Sequence, residues 1–508
     1  MGLASDNHVL STWILVIAYM AVILTLVIRG ALKTKSISDY AVGNLGFSPY
    51  AVGLALAASM TSAATFIINP GFIALYGISG FISFGIVMPI AIFGSLIILT
   101  KGFKKYGSSV KALTMAQWMG KMYESRSYRI FFAILSLLLI TFIVLICVGL
   151  TQVLSKSLNL DPAYVLLAVV AFVFGYMMFG GANSMVYTNA IQAGIMLLVA
   201  FILLGSGVEY FENGVSGFLA KLNDIDSNLT QTTNPESFLF RDYFEIIFCQ
   251  VVIGIAIVYQ PHIITKSLLL REDKEVNKYL TIGIIALVVF FFVVFTGLYV
   301  RLYFPDLSAN GQRIPMDGLI SAYVVSKFPV YLGIIVVLGL ISAGLSTLEG
   351  LIQSLSATIT TDLILPVFGQ SSALKSDHNQ IRINRLVILL LAIASYWLSY
   401  NQLVNPNLSV AIFAQNGVYA YFSAAFVPVL FGTFFSNVSL KTVFASSAVA
   451  ILVHFAVYYG QITSYMKEPV NNPAIAATFA IIFSLITGVV LHLIFSKSFN
   501  RQTLAQNA

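Results

Sequence analysis

Long apolar runs alternate with short polar connections along nearly the whole chain. The runs recur as segments of about 20 residues, the length that an α-helix needs to cross a hydrocarbon core of about 30 Å. A membrane β-barrel would give short segments of alternating hydrophobicity instead. The pattern therefore predicts an all-α polytopic membrane protein. We place about thirteen transmembrane helices at 10–29, 48–76, 79–100, 130–153, 162–180, 188–208, 244–262, 279–303, 329–362, 384–400, 407–434, 440–460 and 473–496.

Composition supports this class of protein. Of the 508 residues, 58% are hydrophobic and 9% are charged, against about 25% charged residues in a soluble domain. Both cysteines, Cys147 and Cys249, lie in apolar spans, so no disulfide framework is indicated. The first apolar run is followed by basic residues and not preceded by them, which favours a retained helix over a cleavable signal peptide.

The basic residues are distributed unevenly between the two sides of the predicted membrane. Of the 27 Lys and Arg residues, 20 fall in alternate connections or in the tail, at 29–47, 101–129, 263–278, 366–385, 433–442 and beyond 496. Because basic residues concentrate on the inner side, this predicts an N-terminus outside and a C-terminus inside. It also accounts for the net charge of +7 without a nucleic-acid partner.

Two predicted spans carry polar residues and a proline that would break a helix. They are SMTSAATFIINPG, Ser59 to Gly71, and CQVVIGIAIVYQPH, Cys249 to His262. Non-helical backbone at membrane depth persists only where it is buried or lines a cavity. The two stretches lie five spans apart, so they run in opposite directions, as in an inverted-topology repeat with discontinuous helices. A pair of ordinary proline kinks is the alternative.

For three segments outside the spans, the sequence predicts two interfacial helices and one solvated loop. ALTMAQWMGKMY, Ala112 to Tyr123, is typical of an amphipathic interfacial helix on the inner side, and a second one is expected around Met316 to Val325. The longest connection, Glu209 to Tyr243, is rich in Asp, Glu and Asn and predicts a solvated outer loop.

The chain offers little for enzyme chemistry. The five histidines, at positions 8, 262, 378, 454 and 492, are scattered without zinc spacing. There is no G-x-S-x-G motif, Walker A motif or Gly-rich dinucleotide turn. We therefore expect neither an enzyme nor an organic cofactor.

Four stretches resemble the sodium/solute symporter family, whose members transport proline, pantothenate, short monocarboxylates, sugars, sialic acid or iodide. They are SISDYAVG (36–43), SAATFIINPGFIALYG (62–77), FGGANSMVYTNAIQ (179–192) and QPHII (260–264), the last being similar to the proline branch. The resemblance implies a leucine-transporter-type 5+5 inverted repeat in a single transporter domain across 1–508. It has an extra helix at 10–29, a first repeat at 48–208, an inverted second repeat at 244–434 and two C-terminal helices at 440–496.

The resemblance also implies a sodium site between the first broken helix and the span at 329–362. Ser346 and Thr347 match the family's STL motif and would offer hydroxyl oxygens, while Ala58, Thr61 and Ala343 would offer carbonyl oxygens. Sodium is the coupling ion in this scheme. The alternative is that both hydroxyls only form hydrogen bonds within the helix bundle.

The chain departs from the family pattern at two positions. Asn189 stands where many members carry an aspartate associated with a second sodium ion, and Glu349 stands one turn inward of Ser346, in place of a small polar residue. We expect Glu349, with Asn189 nearby, to mark a possible second cation or proton site. Hydration of an inner exit path is the alternative for Glu349.

Six polar residues are candidates for binding the transported solute between the broken helices: Thr65, Asn69, Gln250, Tyr259, Gln415 and Asn416. Interhelical hydrogen bonding is the alternative role for each. The expected function is sodium-coupled import of a small organic solute that carries a carboxylate, by a chain active as a monomer. A proton-coupled carrier or a solute sensor on the same fold is the alternative. The expected location is the lipid bilayer of a bacterial-type inner membrane.

Overall fold

The computed structural model describes residues 4–43, 46–109, 111–270, 272–368, 376–405, 408–435, 437–467 and 470–506. These residues are nearly all helical. Four strands of two residues form two antiparallel hairpins, β1 (Ser308–Ala309) with β2 (Gln312–Arg313) and β3 (Met466–Lys467) with β4 (Val470–Asn471).

The first half of the chain contains twelve α-helices among its described residues. They are α1 (Asp6–Ala31), α2 (Ile37–Val42), α3 (Pro49–Met60), α4 (Asn69–Tyr76), α5 (Ile78–Phe81), α6 (Met88–Ser109), α7 (Met115–Met122), α8 (Arg126–Leu135), α9 (Ile140–Leu158), α10 (Pro162–Met177), α11 (Ala182–Gly205) and α12 (Gly214–Ile225). The π-helical turns Ala64–Ile68 and Ile82–Val87 connect α3 to α4 and α5 to α6.

The second half contains eleven α-helices among its described residues. They are α13 (Gln250–Ala256), α14 (Pro261–Ile264), α15 (Val276–Phe292), α16 (Thr296–Tyr303), α17 (Leu319–Lys327), α18 (Val330–Thr358), α19 (Leu365–Phe368), α20 (Asp377–Val404), α21 (Val410–Phe434), α22 (Leu440–Gly460) and α23 (Pro473–Gln506). Short 3-10 helices at Thr265–Leu269 and Met316–Gly318 follow α14 and precede α17.

These helices match the predicted apolar spans closely. Within the described residues, ten continuous helical stretches are long and apolar enough to cross a membrane, and two bent pairs raise the number to twelve. The remaining predicted span, 162–180, is α10, which has 16 residues and is therefore about 24 Å long.

The structure confirms breaks in both predicted discontinuous spans. The axis bends by 51° between Pro49–Met60 and Ala64–Tyr76, and by 62° between Phe244–Tyr259 and Pro261–Leu269. At the second break Gln260 is extended, with φ −63° and ψ 134°, because the residue before a proline is disfavoured in the α-helical region. At each break, carbonyl groups lose the hydrogen-bond donors that a continuous helix would provide.

The connection Glu209 to Tyr243 is more ordered than a solvated loop. It contains α12 and buries Leu229 and Phe240. Gly77 lies against it with φ +68°, and a Cβ on Gly77 would come within 2.1 Å of the Leu229 carbonyl oxygen. The prediction of a purely solvated connector is therefore wrong, because this segment packs on the end of the first broken helix.

The π-helical turn Ile359–Ile364, which follows α18, is tied to α8 and to the residue before α7. Asp362 accepts hydrogen bonds from Thr114 Oγ1 at 2.6 Å and from Arg129 Nε at 2.5 Å, and Arg129 also donates to the Thr361 carbonyl at 2.8 Å. We call Thr114, Arg129, Thr361 and Asp362 the inner anchor, after the side of the membrane predicted for them from the sequence. The predicted interfacial helix is α7, which lies next to this anchor and buries Trp118.

Candidate functional site

Oxygen atoms from α3 and α18 converge at the first helix break. Ser346 Oγ donates to the Ala58 carbonyl at 2.8 Å and lies 3.1 Å from the Ala343 carbonyl. Thr347 Oγ1 lies 3.0 Å from the Ser59 carbonyl and 3.5 Å from those of Ala58 and Ala343. The structure therefore brings together four of the five residues that the sequence proposed for sodium, and adds the carbonyl of Ser59.

The local fold explains why these oxygens face one another. Helix α3 ends at Met60, so its last carbonyls lack the partners that a further helical turn would provide. Helix α18 is unbroken here, and Ser346 and Thr347 are fully buried against α3. Buried neutral oxygens in this arrangement suit a hard cation such as sodium.

Thr61 occupies a different place from the other four predicted ligands. It is the C-terminal cap of α3, and its hydroxyl donates to the Ala57 carbonyl at 2.7 Å. Its side chain therefore bonds to its own helix, although Thr61 stands only three residues beyond Ala58.

Asn189 contacts the same group of oxygens from α11. Its Nδ2 donates to Ser59 Oγ at 3.0 Å and to the Ser346 carbonyl at 3.3 Å, while its Oδ1 has no hydrogen-bond partner among the described residues. Asn189 thus lies beside the candidate sodium ligands and presents one spare oxygen.

Glu349 lies one turn further along α18 and is 1% exposed. Its two carboxylate oxygens accept hydrogen bonds from Tyr176 at 2.6 Å and Thr188 at 2.7 Å. Because the side chain is buried and bonded, it does not line an open vestibule in this conformation.

Sequence reasoning missed a buried lysine in this region. Lys266 was expected in an inner loop, but it follows α14 on the second broken span and is 2% exposed. That expectation is therefore wrong. The sequence does contain a signal that the helix continues to Lys266. Pro261 is typical of a helix start, and His262 and Lys266 follow it four residues apart, about one helical turn.

A cavity of about 70 Å³ lies between the two broken helices and α21. Its polar lining comes from Ser62, Thr65, Asn69, Gln260 and Gln415, and the rest of the lining is aromatic or aliphatic. None of the described lining residues is charged. This volume is small beside the roughly 300–1,000 Å³ of common ligand pockets, so the cavity suits a small solute.

Three of the six predicted solute-binding residues line this cavity, namely Thr65, Asn69 and Gln415. Asn416 faces α22 instead, where its amide contacts His454 Nε2 at 2.9 Å and Tyr459 OH at 3.0 Å. Tyr259 packs on Phe426 with ring centroids 5.4 Å apart, and Gln250 is buried at the start of α13. Sequence reasoning missed Gln260, although it stands in the quoted QPHII stretch.

The N-terminal end of α21 is bound by an acidic residue. Asp317 accepts hydrogen bonds from Ser409 Oγ at 2.6 Å and from the backbone N–H of Val410 at 2.9 Å. Burial is the main cause that raises the Asp317 pKa from 3.8 to about 6, and the two hydrogen bonds oppose it. This contact fixes the helix that carries Gln415 to the segment before α17.

Comparison with known proteins gives consistent results. A family model described as "Sodium:solute symporter family" matches residues 40–450. A sodium/pantothenate symporter of Haemophilus influenzae is 24% identical over 398 residues, covering 77% of this chain and 78% of that protein. A sodium/proline symporter of Staphylococcus aureus is 22% identical over 511 residues, covering 98% and 95%.

Solved structures show the same fold. A Na+-coupled sialic acid symporter in a substrate-bound outward-open state superposes with a TM-score of 0.78 at 16% identity, covering 95% of this chain and 97% of that one. The nucleobase-cation-symport-1 family transporter Mhp1, in a closed conformation with bromovinylhydantoin bound, gives a TM-score of 0.54 at 11% identity, covering 91% and 95%.

Proposed function

Because the chain belongs to the sodium:solute symporter family, we propose that its sodium-coupled symport imports a small organic solute that carries a carboxylate. The observation that carries this proposal is the group of oxygens from Ala58, Ala343, Ser346 and Thr347, which meet across the first helix break. The relatives named for pantothenate and proline both take carboxylate-bearing solutes, and a proline-like, monocarboxylate or pantothenate-like solute fits the proposal.

Sodium would bind among these oxygens, with the carbonyl of Thr61 as a fifth candidate ligand. Each hydroxyl that now donates to a carbonyl would turn its lone pairs toward the ion. Because every proposed ligand is neutral, binding is weak enough for the ion to leave in each cycle. Sodium would also draw α3 and α18 together, since its ligands come from both helices.

The solute would bind in the neighbouring cavity. Thr65, Asn69 and Gln415 can donate hydrogen bonds to a carboxylate, and Ser62 and Gln260 extend this polar lining. With no charged side chain among the described lining residues, the remaining stabilisation would come from backbone N–H groups at the helix breaks. Gln250, Tyr259 and Asn416 are second candidates that would reach the solute only in another conformation.

Transport would follow alternating access, with 48–208 and 244–434 as two inverted repeats moving against each other. The N-terminus lies outside and the C-terminus inside in this scheme, and a monomer in a bacterial-type inner membrane forms the complete pathway. Sodium and solute would stabilise the same closed state, so each raises the affinity for the other.

Glu349 and Asn189 would form a second cation or proton site below the sodium ligands. Glu349 is a buried carboxylate, and a buried charge requires a counter-charge or a proton. Asn189 supports this placement through its spare Oδ1 and its contact with Ser346.

Uptake into proteoliposomes tests the proposal directly. Labelled proline, acetate, pyruvate, pantothenate and glucose would be offered with an inward sodium gradient to the wild type and to Thr347→Ala. We expect sodium-dependent accumulation of one carboxylate-bearing solute, with a higher sodium requirement in the variant. Thr358→Ala is the matched control, because that hydroxyl lies on the same helix and, within the described residues, bonds to the Ser354 carbonyl of its own helix at 2.7 Å. Uptake driven by a proton gradient, with Thr347→Ala behaving as wild type, would refute the proposal.

A further inference from the structure

The second broken span buries a lysine that neither the proposed sodium site nor the proposed solute site uses. Lys266 is 2% exposed, and its ammonium has no hydrogen-bond partner among the described residues. An isolated buried charge is strongly unfavourable. A lysine in this position therefore needs a negative group close by.

The packing of the second broken span brings Lys266 toward Glu349. His262 stands one helical turn before Lys266 and lies against α18, because a Cβ on Gly350 would come within 3.5 Å of the His262 Cβ. Gly350 is the neighbour of Glu349 in the chain. Glu349 and Lys266 attract each other electrostatically, although they do not form a direct ion pair.

The other side chains around Glu349 carry no positive charge. Tyr176 and Thr188 donate to its carboxylate from α10 and α11. Gln192 from α11, Tyr19 from α1 and His262 from α14 are further polar groups on elements that pack here. Lys266 is thus the cationic residue that balances Glu349 within the described part of the chain.

We infer that the cation of this second site is Lys266 itself: its fixed charge balances Glu349 in place of a second transported sodium ion, which leaves one sodium ion per solute. This inference rests on the proposed sodium-coupled function. It assigns Lys266 as a positioning residue that sets stoichiometry, because its tethered charge cannot leave with the solute. The negative charge of Glu349 is then balanced in every step of the transport cycle.

Charge deletion in pairs tests the inference. The variants are Lys266→Met, Glu349→Gln and the double variant that carries both, each assayed for uptake, sodium Hill slope and thermal unfolding. We expect each single variant to lose at least tenfold in uptake, or to fail to fold, because it leaves one buried charge alone. The double variant should return to within about threefold of wild type, with a Hill slope near 1. Lys266→Arg should keep the wild-type slope.

Lys104→Met is the matched control, because Lys104 is equally buried but donates to the Leu270 carbonyl at 2.6 Å. Its Hill slope should not change. A wild-type stoichiometry of two sodium ions per solute would overturn the inference, and so would a double variant no better than the worse single variant in both uptake and folding. Failure of the proposed function would look different: wild-type uptake would then be independent of sodium and indifferent to Thr347→Ala.

Discussion

Ser346 Oγ lies 2.8 Å from the carbonyl oxygen of Ala58, a residue 288 positions earlier in the chain. The contact joins the end of a broken helix to the middle of an unbroken one. Removing the hydroxyl takes away one ligand oxygen but leaves the backbone carbonyls in place. We expect Ser346→Ala to raise the sodium concentration for half-maximal uptake about tenfold, equivalent to about 1.4 kcal/mol. Sodium titration of solute uptake measures this value, and an unchanged value would contradict the assignment of Ser346.

Two neighbouring residues on α21 should respond differently to substitution. Gln415 lines the central cavity, whereas Asn416 bonds to His454 and Tyr459 on α22. Gln415→Ala should therefore raise the KM for the solute about tenfold or more with little effect on unfolding. Asn416→Ala should lower the unfolding temperature and leave KM near wild type. Paired uptake and thermal-unfolding assays would reveal the opposite pattern if the two assignments were reversed.

The Asp317 contact predicts a pH dependence of stability. Burial raises the Asp317 pKa from 3.8 to about 6, so the folded state binds this proton more tightly than the unfolded state does. The resulting stability is fully present below about pH 4 and is lost as the pH rises through about 6, with a span of about 3 kcal/mol at most. Asn at this position keeps an acceptor for the Val410 N–H and can donate to Ser409. Asp317→Asn should remove the component of pH dependence between pH 4 and 6, which unfolding at a series of pH values would measure. If the stability curves of the wild type and the variant stay parallel between pH 4 and 6, Asp317 is not the source of this pH dependence.

The inner anchor should contribute measurably to stability. Asp362 is fully buried and bonds to Thr114 and Arg129, so neutralising it leaves the Arg129 guanidinium without its counter-charge. We expect Asp362→Asn to destabilise the fold by about 3 kcal/mol. Adding Arg129→Met should recover part of that loss, because no unpaired charge then remains. Thermal unfolding in detergent checks both variants, and an equal loss in the double variant would argue against a paired role.

Much of the architecture could be predicted from the sequence because membrane spans impose a fixed apolar length. Both broken spans were predicted from polar residues and a proline in an apolar run, but only the second break lies at its proline, Pro261. The first lies between Met60 and Ala64, and Pro70 lies inside the helical stretch that follows it. All five proposed sodium ligands came from motif resemblance, and the structure brings the oxygens of four of them together. Their role in sodium binding stays a prediction.

Which side of a buried helix faces the cavity could not be predicted in the same way. Helix α21 is buried on nearly every side, so no apolar stripe distinguishes the cavity side of Gln415 from the α22 side of Asn416. Lys266 was misplaced for a related reason: a basic residue at the end of an apolar run indicates a loop unless a buried acid lies opposite it. Glu349 provides that acid from a position 83 residues later in the chain.

The continuity of α18 has a mechanical consequence. Ser346 and Asp362 lie on one helical rod that runs through α18 and the π-helical turn Ile359–Ile364, and 16 residues at 1.5 Å each separate them by about 24 Å. The rod would act as a lever arm, with the proposed sodium site at one end and the inner anchor at the other. A tilt of about 10° at the ion would sweep the far end through about 4 Å, given the rise per residue of a helix. Binding or release of an ion at the proposed site would thus strain the salt bridge between Arg129 and Asp362 at the far end of the same rod, without any flexible segment between the two places.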